Sequence, residues 1–375
     1  MGDKPIRLLF VFPLNQLWGG EKVWLELLSG MDKKRFAPKA VVFGHGPLDR
    51  ELDALGIPYA VFKPARVRNV FGMFKNIFAL AALMRGESFD LVNSLGVNLA
   101  VSLAALLSHT GCILHIHTMH RLRLIDRWCL RLADRIITVC EFVRDMLIKE
   151  GPGDKDIRVV YNSIDPVKLR AGLKGTAIRR QLGLADGTLL VCYSGRIVKW
   201  KNLEFLVKAI PLVNKKISGQ VRFLLVGQTP AGGGHQPDYH KDLAGLAQTL
   251  KVSDQLVFTG FREDIADILD DCDIFVIPSL MEVFSVAVLE AMAMAKPVVA
   301  MRTGGNPELI STDSGIMVEG NDMDGFVSAI AGLLNDPLTR KKMGQAGYDR
   351  VVRLFDPPGN IKGYEAAFTD FSGKR

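Results

Sequence analysis

The segment Gly195-Arg196-Ile197-Val198-Lys199-Trp200-Lys201-Asn202 sets two cations, Arg196 and Lys201, five residues apart. It follows the apolar run Leu189–Ser194, which reads as a strand, and leads into a helical pattern. A planar guanidinium fork and an ammonium point charge at a strand exit can converge on one anion, and together they suit a diphosphate. Lys199 and Lys201 read equally well as charges facing solvent, so the segment alone leaves both readings open. A second group is Glu282-Val283-Phe284-Ser285-Val286-Ala287-Val288-Leu289-Glu290, after the expected strand Ile274–Ile277. Glu282 falls in a strand-to-helix loop, placed to accept hydrogen bonds from sugar hydroxyls. Glu290 is expected two turns into the following helix, between Leu289 and Ala291. A carboxylate in such apolar company needs partners, and the paired hydroxyls of a ribose would satisfy it; a helix-surface carboxylate is the alternative. The backbone N–H groups of Phe284, Ser285 and Val286 are then positioned to face phosphates.

Near the start, the strand Ile6–Phe12 runs into Leu14-Asn15-Gln16-Leu17-Trp18-Gly19-Gly20-Glu21 and an amphipathic helix. Paired glycines at a helix N-terminus let backbone N–H groups approach a phosphate, though they serve a plain turn equally well. The pattern is not GxGxxG, which removes the main support for a nicotinamide cofactor. His115 and His117 share one face of an expected strand, with His120 nearby, but no cysteine stands at ligand spacing, so no metal is expected and His115 and His120 read as structural or rim residues. His235 and His240, beside Gly232-Gly233-Gly234, also lack convincing partners. The five cysteines are scattered, which fits reduced, buried thiols.

These groups need strands that end where helices begin, and the rest of the chain supplies that rhythm. Strands are expected at Ile6–Phe12, Ala40–Phe43, Leu91–Asn93, Cys112–His117, Ile136–Val139 and Ile157–Tyr161, then at Leu189–Ser194, Arg222–Val226, Gln255–Thr259, Ile274–Ile277, Pro297–Ala300 and Ile316–Val318. Helical stretches lie among them, which argues for parallel sheets built of βαβ units. The length, 375 residues, suits two domains. We expect one over residues 1–170 and another over 171–357, joined near Asn162–Gly175. The tail bends at Asp356-Pro357-Pro358, and its last helix, about 358–375, is free to return to the first domain.

The apolar run at the N-terminus is only about seven residues and has no small-residue cleavage site, so it reads as a strand rather than a signal, and a cytoplasmic protein is expected. The later apolar stretches, Ile77–Met84 and Leu95–Leu107, fall short of the ~20 residues that span a bilayer. The net charge is +7, and residues 1–170 hold 24 Lys and Arg against 17 Asp and Glu, while the remainder holds 23 of each. The basic residues are dispersed and no nucleic-acid-binding motif is present, so nucleic acid is not an expected partner. Arg66, Arg68, Lys75 and Arg85 surround the apolar stretch Val70–Met84, which suggests docking on an anionic membrane surface; a helix merely packed on its sheet is the alternative.

Taken in order, Gly195-Arg196-xxxx-Lys201-Asn202, the Glu282-x7-Glu290 pair with Glu290-Ala291-Met292-Ala293, Lys296-Pro297-Val298-Val299-Ala300 and Gly304-Gly305-Asn306-Pro307-Glu308 resemble the retaining glycosyltransferases of family 4. The first half joins in through Gly19-Gly20-Glu21, Phe89-Asp90-Leu91-Val92, the strand ending in His117, and Tyr161-Asn162-Ser163-Ile164-Asp165. The likeness covers nearly the whole chain. It implies the α/β GT-B fold, two Rossmann-like domains facing each other across a cleft that holds a nucleotide-sugar. By that resemblance Arg196 and Lys201 would grip the donor diphosphate, Glu290 the ribose and Glu282 the transferred sugar. Gly20, with Gly19, would close over the phosphates, and His117 would lie by the donor sugar. The base would lie near Gly260-Phe261-Arg262.

The implied activity is transfer of a hexose-type sugar, with retention and without a bound metal or other cofactor, from a UDP- or GDP-linked donor. The acceptor would be a glycan or a lipid-linked molecule, as in cell-surface polysaccharide or glycolipid synthesis, with the protein peripheral on the inner face of the membrane. The family's usual Glu-Gly-Phe-Gly is Glu282-Val283-Phe284-Ser285 here. Serine adds little bulk beside the phosphates, whereas Val283 can reshape the sugar pocket. A nucleotide-sugar epimerase and a non-catalytic sugar-nucleotide-binding subunit are the alternatives weighed against this reading.

Overall fold

Short runs rich in Val, Ile, Leu and Phe form thirteen strands among the described residues, gathered into two wholly parallel sheets. The computed structural model describes residues 4–64, 70–117, 122–151, 155–175, 177–229 and 239–370. Arg66, Arg68, His120, Gly232–Gly234 and His235 lie outside the described residues, as does the end of the C-terminal helix expected to reach 375. The chain divides into two units, Met1–Asn162 with Pro357–Arg375, and Ser163–Asp356.

The first unit contains β1 (Ile6–Phe12), β2 (Phe36–Phe43), β3 (Tyr59–Phe62), β4 (Leu91–Leu95), β5 (Gly111–Ile116), β6 (Arg135–Thr138) and β7 (Asp156–Val159), in the order β3-β2-β1-β4-β5-β6-β7. Strand order reverses between β1 and β4, which pair from Leu8↔Leu91 to Val11↔Ser94. The central strands are buried along most of their length, as in a parallel sheet covered on both faces, and they are mainly apolar, with Asn93 and Ser94 of β4 and His115 of β5 buried among them. Edge strand β3 was not legible in the sequence: it is four residues long and only half-buried, so it lacks the apolar run that marks its neighbours. The apolar stretch Leu95–Leu107 resolves into the end of β4 and a helix, Leu99–Ser108, opened by Asn98, whose Oδ1 accepts from the N–H groups of Ala100 and Val101. The helix Pro357–Thr369 belongs to this unit. Its Tyr364, Ala367 and Phe368 are buried with Phe10, Trp24 and Phe36, and Phe368 meets Phe10 edge-on at 6.1 Å. Glu365 fastens it further, accepting from the N–H of Asp32 at 2.9 Å and pairing with Arg35 at 3.3 Å.

The second unit contains β8 (Leu189–Ser194), β9 (Val221–Val226), β10 (Leu256–Gly260), β11 (Ile274–Ile277), β12 (Val298–Met301) and β13 (Gly315–Val318), in the order β10-β9-β8-β11-β12-β13. Here the order reverses between β8 and β11. Ligands of open α/β sheets bind beyond the carboxyl ends of strands at such a reversal, and β8 and β11 are the strands that lead into Arg196–Lys201 and Glu282. Among the described residues no helix is long and apolar enough to cross a membrane.

Candidate active site

After β8 the backbone makes a turn that only glycine tolerates. Gly195 has φ +151°, and a Cβ there would stand 2.8 Å from the Tyr193 hydroxyl. Gly227 passes so close that its Cβ would lie 1.9 Å from the Gly195 carbonyl oxygen. The Tyr193 hydroxyl donates to the Arg196 carbonyl at 2.8 Å, fixing the start of the loop. A short 3₁₀ turn, Lys199–Lys201, follows, and Asn202 in the left-handed region (φ 55°) starts the helix Leu203–Asn214.

This turn brings the two cations together. The Arg196 guanidinium carbon lies 5.3 Å and the Lys201 ammonium 4.1 Å from the centre of the Trp200 ring. Both distances are within range for attraction to an aromatic face. Lys201 is 8% exposed, so it is not the solvated charge that remained an alternative reading, whereas Lys199 is exposed. Trp200 was missed at the sequence level. An aromatic between two lysines in a βα loop was the available signal, but only the 3₁₀ turn shows that its ring serves Arg196 and Lys201.

Glu282, 6% exposed, accepts a hydrogen bond from the Lys201 ammonium. Its backbone is held from the far side: the Gly305 N–H donates to the Glu282 carbonyl at 3.0 Å. Gly304, at φ +56°, passes where a Cβ would be 1.6 Å from that same oxygen. The Leu280 N–H donates to the Trp200 carbonyl at 3.1 Å, and the Thr303 hydroxyl donates to the Leu280 carbonyl at 3.0 Å. The loops after β8, β11 and β12 are therefore stitched into one cradle. Burial pulls the Lys201 pKa below that of a free lysine; the Glu282 carboxylate pushes it back up, and the positive charge of Arg196 adds to the lowering. Burial, then the negative charge of Glu282, raises the Tyr193 phenol well above its ordinary value.

The helix Val286–Ala293 begins beside this cradle with Ser285 as its N-cap, and the Ser285 side chain makes no cap hydrogen bond. The first N–H groups of a helix have no acceptor within it, so this end offers donors to an anion. Phe284 turns its ring inward against Phe355, 5.4 Å away and edge-on. Glu290 is nearly enclosed, at 9% exposure, so it is not a surface carboxylate. It lies a little over one turn into the helix rather than two, four residues past the start at Val286, over the bounds Val286–Ala293 expected from the sequence. Beyond β10, Phe261 exposes its ring. The Arg262 guanidinium is held by Asp264, with Nε 2.7 Å from Oδ1, and by Gln181 at 3.0 Å.

In the first unit the helix Gly19–Gly30 starts beside the end of β5. A methyl group at Gly20 would lie 3.5 Å from Cγ of His117, so the glycine pair and His117 share one locus. Burial pulls the His117 pKa down to about 3, so the imidazole of this half-buried residue is neutral at ordinary pH. His115 is fully enclosed in the core and hydrogen-bonded there, so it has no place on a rim. His240 packs on Phe258, 4.1 Å between ring centres. No group of three or more His, Cys, Asp or Glu residues among the described residues is arranged to hold a metal.

Residues 18–168 match the family model described as Glycosyltransferase Family 4, and residues 175–350 match that of Glycosyl transferases group 1. The chain is 26% identical over 353 residues to the UDP-Gal:alpha-D-GlcNAc-diphosphoundecaprenol alpha-1,3-galactosyltransferase of Escherichia coli, covering 88% of each protein. It is 30% identical to the D-inositol 3-phosphate glycosyltransferase of Corynebacterium kroppenstedtii over 64% of this chain and 58% of that protein, so it spans little more than half of that relative's length. Among solved structures, Anabaena Alr3699/HepE in complex with UDP superposes with a TM-score of 0.82 at 21% identity, over 98% of this chain and all of that one, a likeness of fold. With two Rossmann-like α/β domains of the kind found in GT-B enzymes and both family models matched in order, the chain belongs to glycosyltransferase family 4 and is a glycosyltransferase that uses nucleotide sugars.

Proposed function

We propose that this enzyme transfers a hexose-type sugar, with retention of anomeric configuration, from a UDP- or GDP-linked donor to a lipid-linked or glycan acceptor. The observation that carries the proposal is the pair of cations on one indole ring, beside a buried carboxylate, where the strand order of the second sheet reverses. Arg196 and Lys201 bind the diphosphate, with the N–H groups of Phe284, Ser285 and Val286 completing its cradle. Glu290 accepts hydrogen bonds from the ribose hydroxyls, Glu282 from the transferred sugar, and the exposed Phe261 ring stacks on the base. His117, with Gly19 and Gly20, contacts substrate from the first unit. Arg262, already engaged by Asp264, orders the loop that carries Phe261.

In the reaction the bond from the anomeric carbon to the phosphate oxygen breaks, and the diphosphate keeps the electron pair. Fixed cations stabilise that charge as it develops. The acceptor oxygen bonds to the same face of the sugar, and its proton passes to the departing phosphate. Arg196 and Lys201 supply the positive charge, so the proposal includes no metal, and treatment with EDTA leaves turnover unchanged. The galactosyltransferase relative from E. coli is named for a diphosphoundecaprenol acceptor, which favours a lipid-linked one here. The helix Val70–Gly86 buries Ile77, Leu80 and Met84 but exposes Phe71, Phe74 and Phe78, with Lys75 and Arg85 also outward. We take this stripe, with the outward Leu124, Ile125 and Trp128 of the helix Leu124–Leu132, as the surface that meets an anionic membrane.

The test is a panel of UDP-, GDP- and ADP-sugars scored by thermal stabilisation, followed by product analysis with the best donor. An α-linked donor yielding an α-linked product supports retention. Inversion, or a covalent sugar adduct trapped on Glu282, overturns the proposed path.

A further inference from the structure

His117 does not stand alone. Its Nε2 lies 2.9 Å from Nδ1 of His115. That same Nδ1 accepts from the Trp24 indole N–H at 2.7 Å, and the Tyr364 hydroxyl lies 2.9 Å from Nε2 of His115. Trp24, His115 and Tyr364 are all fully buried, at a depth where an aromatic or aliphatic core would serve packing equally well. Buried polar groups persist there when each donor finds an acceptor.

The hydrogen positions follow from one fact: an indole N–H only donates. Nδ1 of His115 is therefore bare, and its proton is on Nε2, which donates to the Tyr364 oxygen. The bare Nδ1 also faces Nε2 of His117. Two lone pairs at that distance repel, so Nε2 of His117 carries its proton and shares Nδ1 of His115 with the indole. Nδ1 of His117 is then the ring's acceptor.

We propose that Trp24, His115 and Tyr364 are positioning residues that hold His117 in its Nε2–H tautomer, so that Nδ1 accepts a hydrogen bond from a substrate hydroxyl. The inference rests on the reading of His117 as a substrate contact. It gives the helix Pro357–Thr369 a part in the chemistry, because Tyr364 reaches His115 from the far end of the chain. Burial depresses the basicity of both imidazoles, so neither takes a second proton near neutrality and the tautomer is the property left to set.

The experiment is long-range ¹H–¹⁵N NMR of the full chain labelled with [¹⁵N]histidine, at pH 7, with His117→Ala identifying its signals. The expected spectrum shows His115 and His117 both protonated on Nε2. In Trp24→Phe, which deletes the indole N–H that keeps Nδ1 of His115 bare, a second tautomer of His117 emerges. Transfer from the donor sugar found by the panel then slows about fivefold in kcat, with KM within about twofold. A wild-type His117 protonated on Nδ1 overturns the proposal without any variant. So does a folded Trp24→Phe protein whose His117 signals and kcat match wild type. Full activity in His117→Ala overturns the substrate-contact reading itself, an outcome told apart from failure of the relay by the wild-type spectrum.

Discussion

Replacing Glu282 by glutamine should make the protein less stable and yet a better binder of bare diphosphate. The carboxylate and the Lys201 ammonium are both nearly enclosed and hydrogen-bonded to each other. Two unit charges at about 4 Å attract by about 4 kcal/mol at an effective dielectric near 20. Removing one partner of a buried pair costs about 3–5 kcal/mol because the other charge is left uncompensated. Glutamine retains an acceptor for the ammonium, so the lower figure applies, about 3 kcal/mol. In a unit the size of Ser163–Asp356 that lowers the transition by roughly 6–12 °C.

The same change removes a negative charge from beside the phosphates, which should tighten nucleoside diphosphate binding by about 1 kcal/mol, or roughly fivefold. The ligand at 100 times its Kd then restores about 2.7 kcal/mol. Sugar transfer is lost, since the hydroxyl-binding carboxylate is gone. Differential scanning fluorimetry with and without the nucleoside diphosphate, plus a turnover assay, reads all three effects. A Glu282→Gln protein with wild-type melting temperature and unchanged diphosphate affinity would refute the reasoning, because it would show that the pair is neither buried nor adjacent to the anion.

Other consequences are equally direct. Gly304→Ala forces a Cβ to within 1.6 Å of the Glu282 carbonyl oxygen at φ +56°, so it should destabilise by about 3 kcal/mol or more; Gly219→Ala, with open space around it, should stay within about 0.5 kcal/mol in the same denaturation assay. Trp200→Leu removes the ring beneath both cations and should weaken diphosphate binding about tenfold by calorimetry, whereas Trp200→Phe stays within about threefold. The depressed pKa of Lys201 has a defined sign. The folded unit holds this proton less tightly than the unfolded chain, so its contribution to stability rises as pH climbs from the folded pKa to 10.5. Diphosphate favours the ammonium, so affinity falls over the same window, with proton uptake on binding that Lys201→Arg abolishes.

Much of this was legible because the chemistry is local in sequence. Arg196 and Lys201 lie on one βα loop, Glu282 on another and Glu290 in the helix that follows it, so strand exits and apolar flanks were enough to place them. Trp200 escaped because a 3₁₀ turn has no hydrophobic period, and the cradle role of Gly304 escaped because it depends on loops that meet only in space. Glu290 was set too deep in its helix although the bounds Val286–Ala293 were legible, because four residues past the start make only a little over one turn. Tyr364 was out of reach for a different reason. Its partner His115 is 249 residues away, and nothing local to either residue indicates the other.

The central claim is that the Arg196 guanidinium and the Lys201 ammonium act on one diphosphate. Isothermal titration of the preferred nucleoside diphosphate into wild type, Arg196→Ala, Lys201→Met and the double variant tests it most directly. Each single change should raise Kd at least about tenfold, as expected for charged hydrogen bonds of roughly 1.5–3 kcal/mol, and the double change should depart from the sum because neighbours share one ligand. Folded variants that bind within about twofold of wild type would contradict the account.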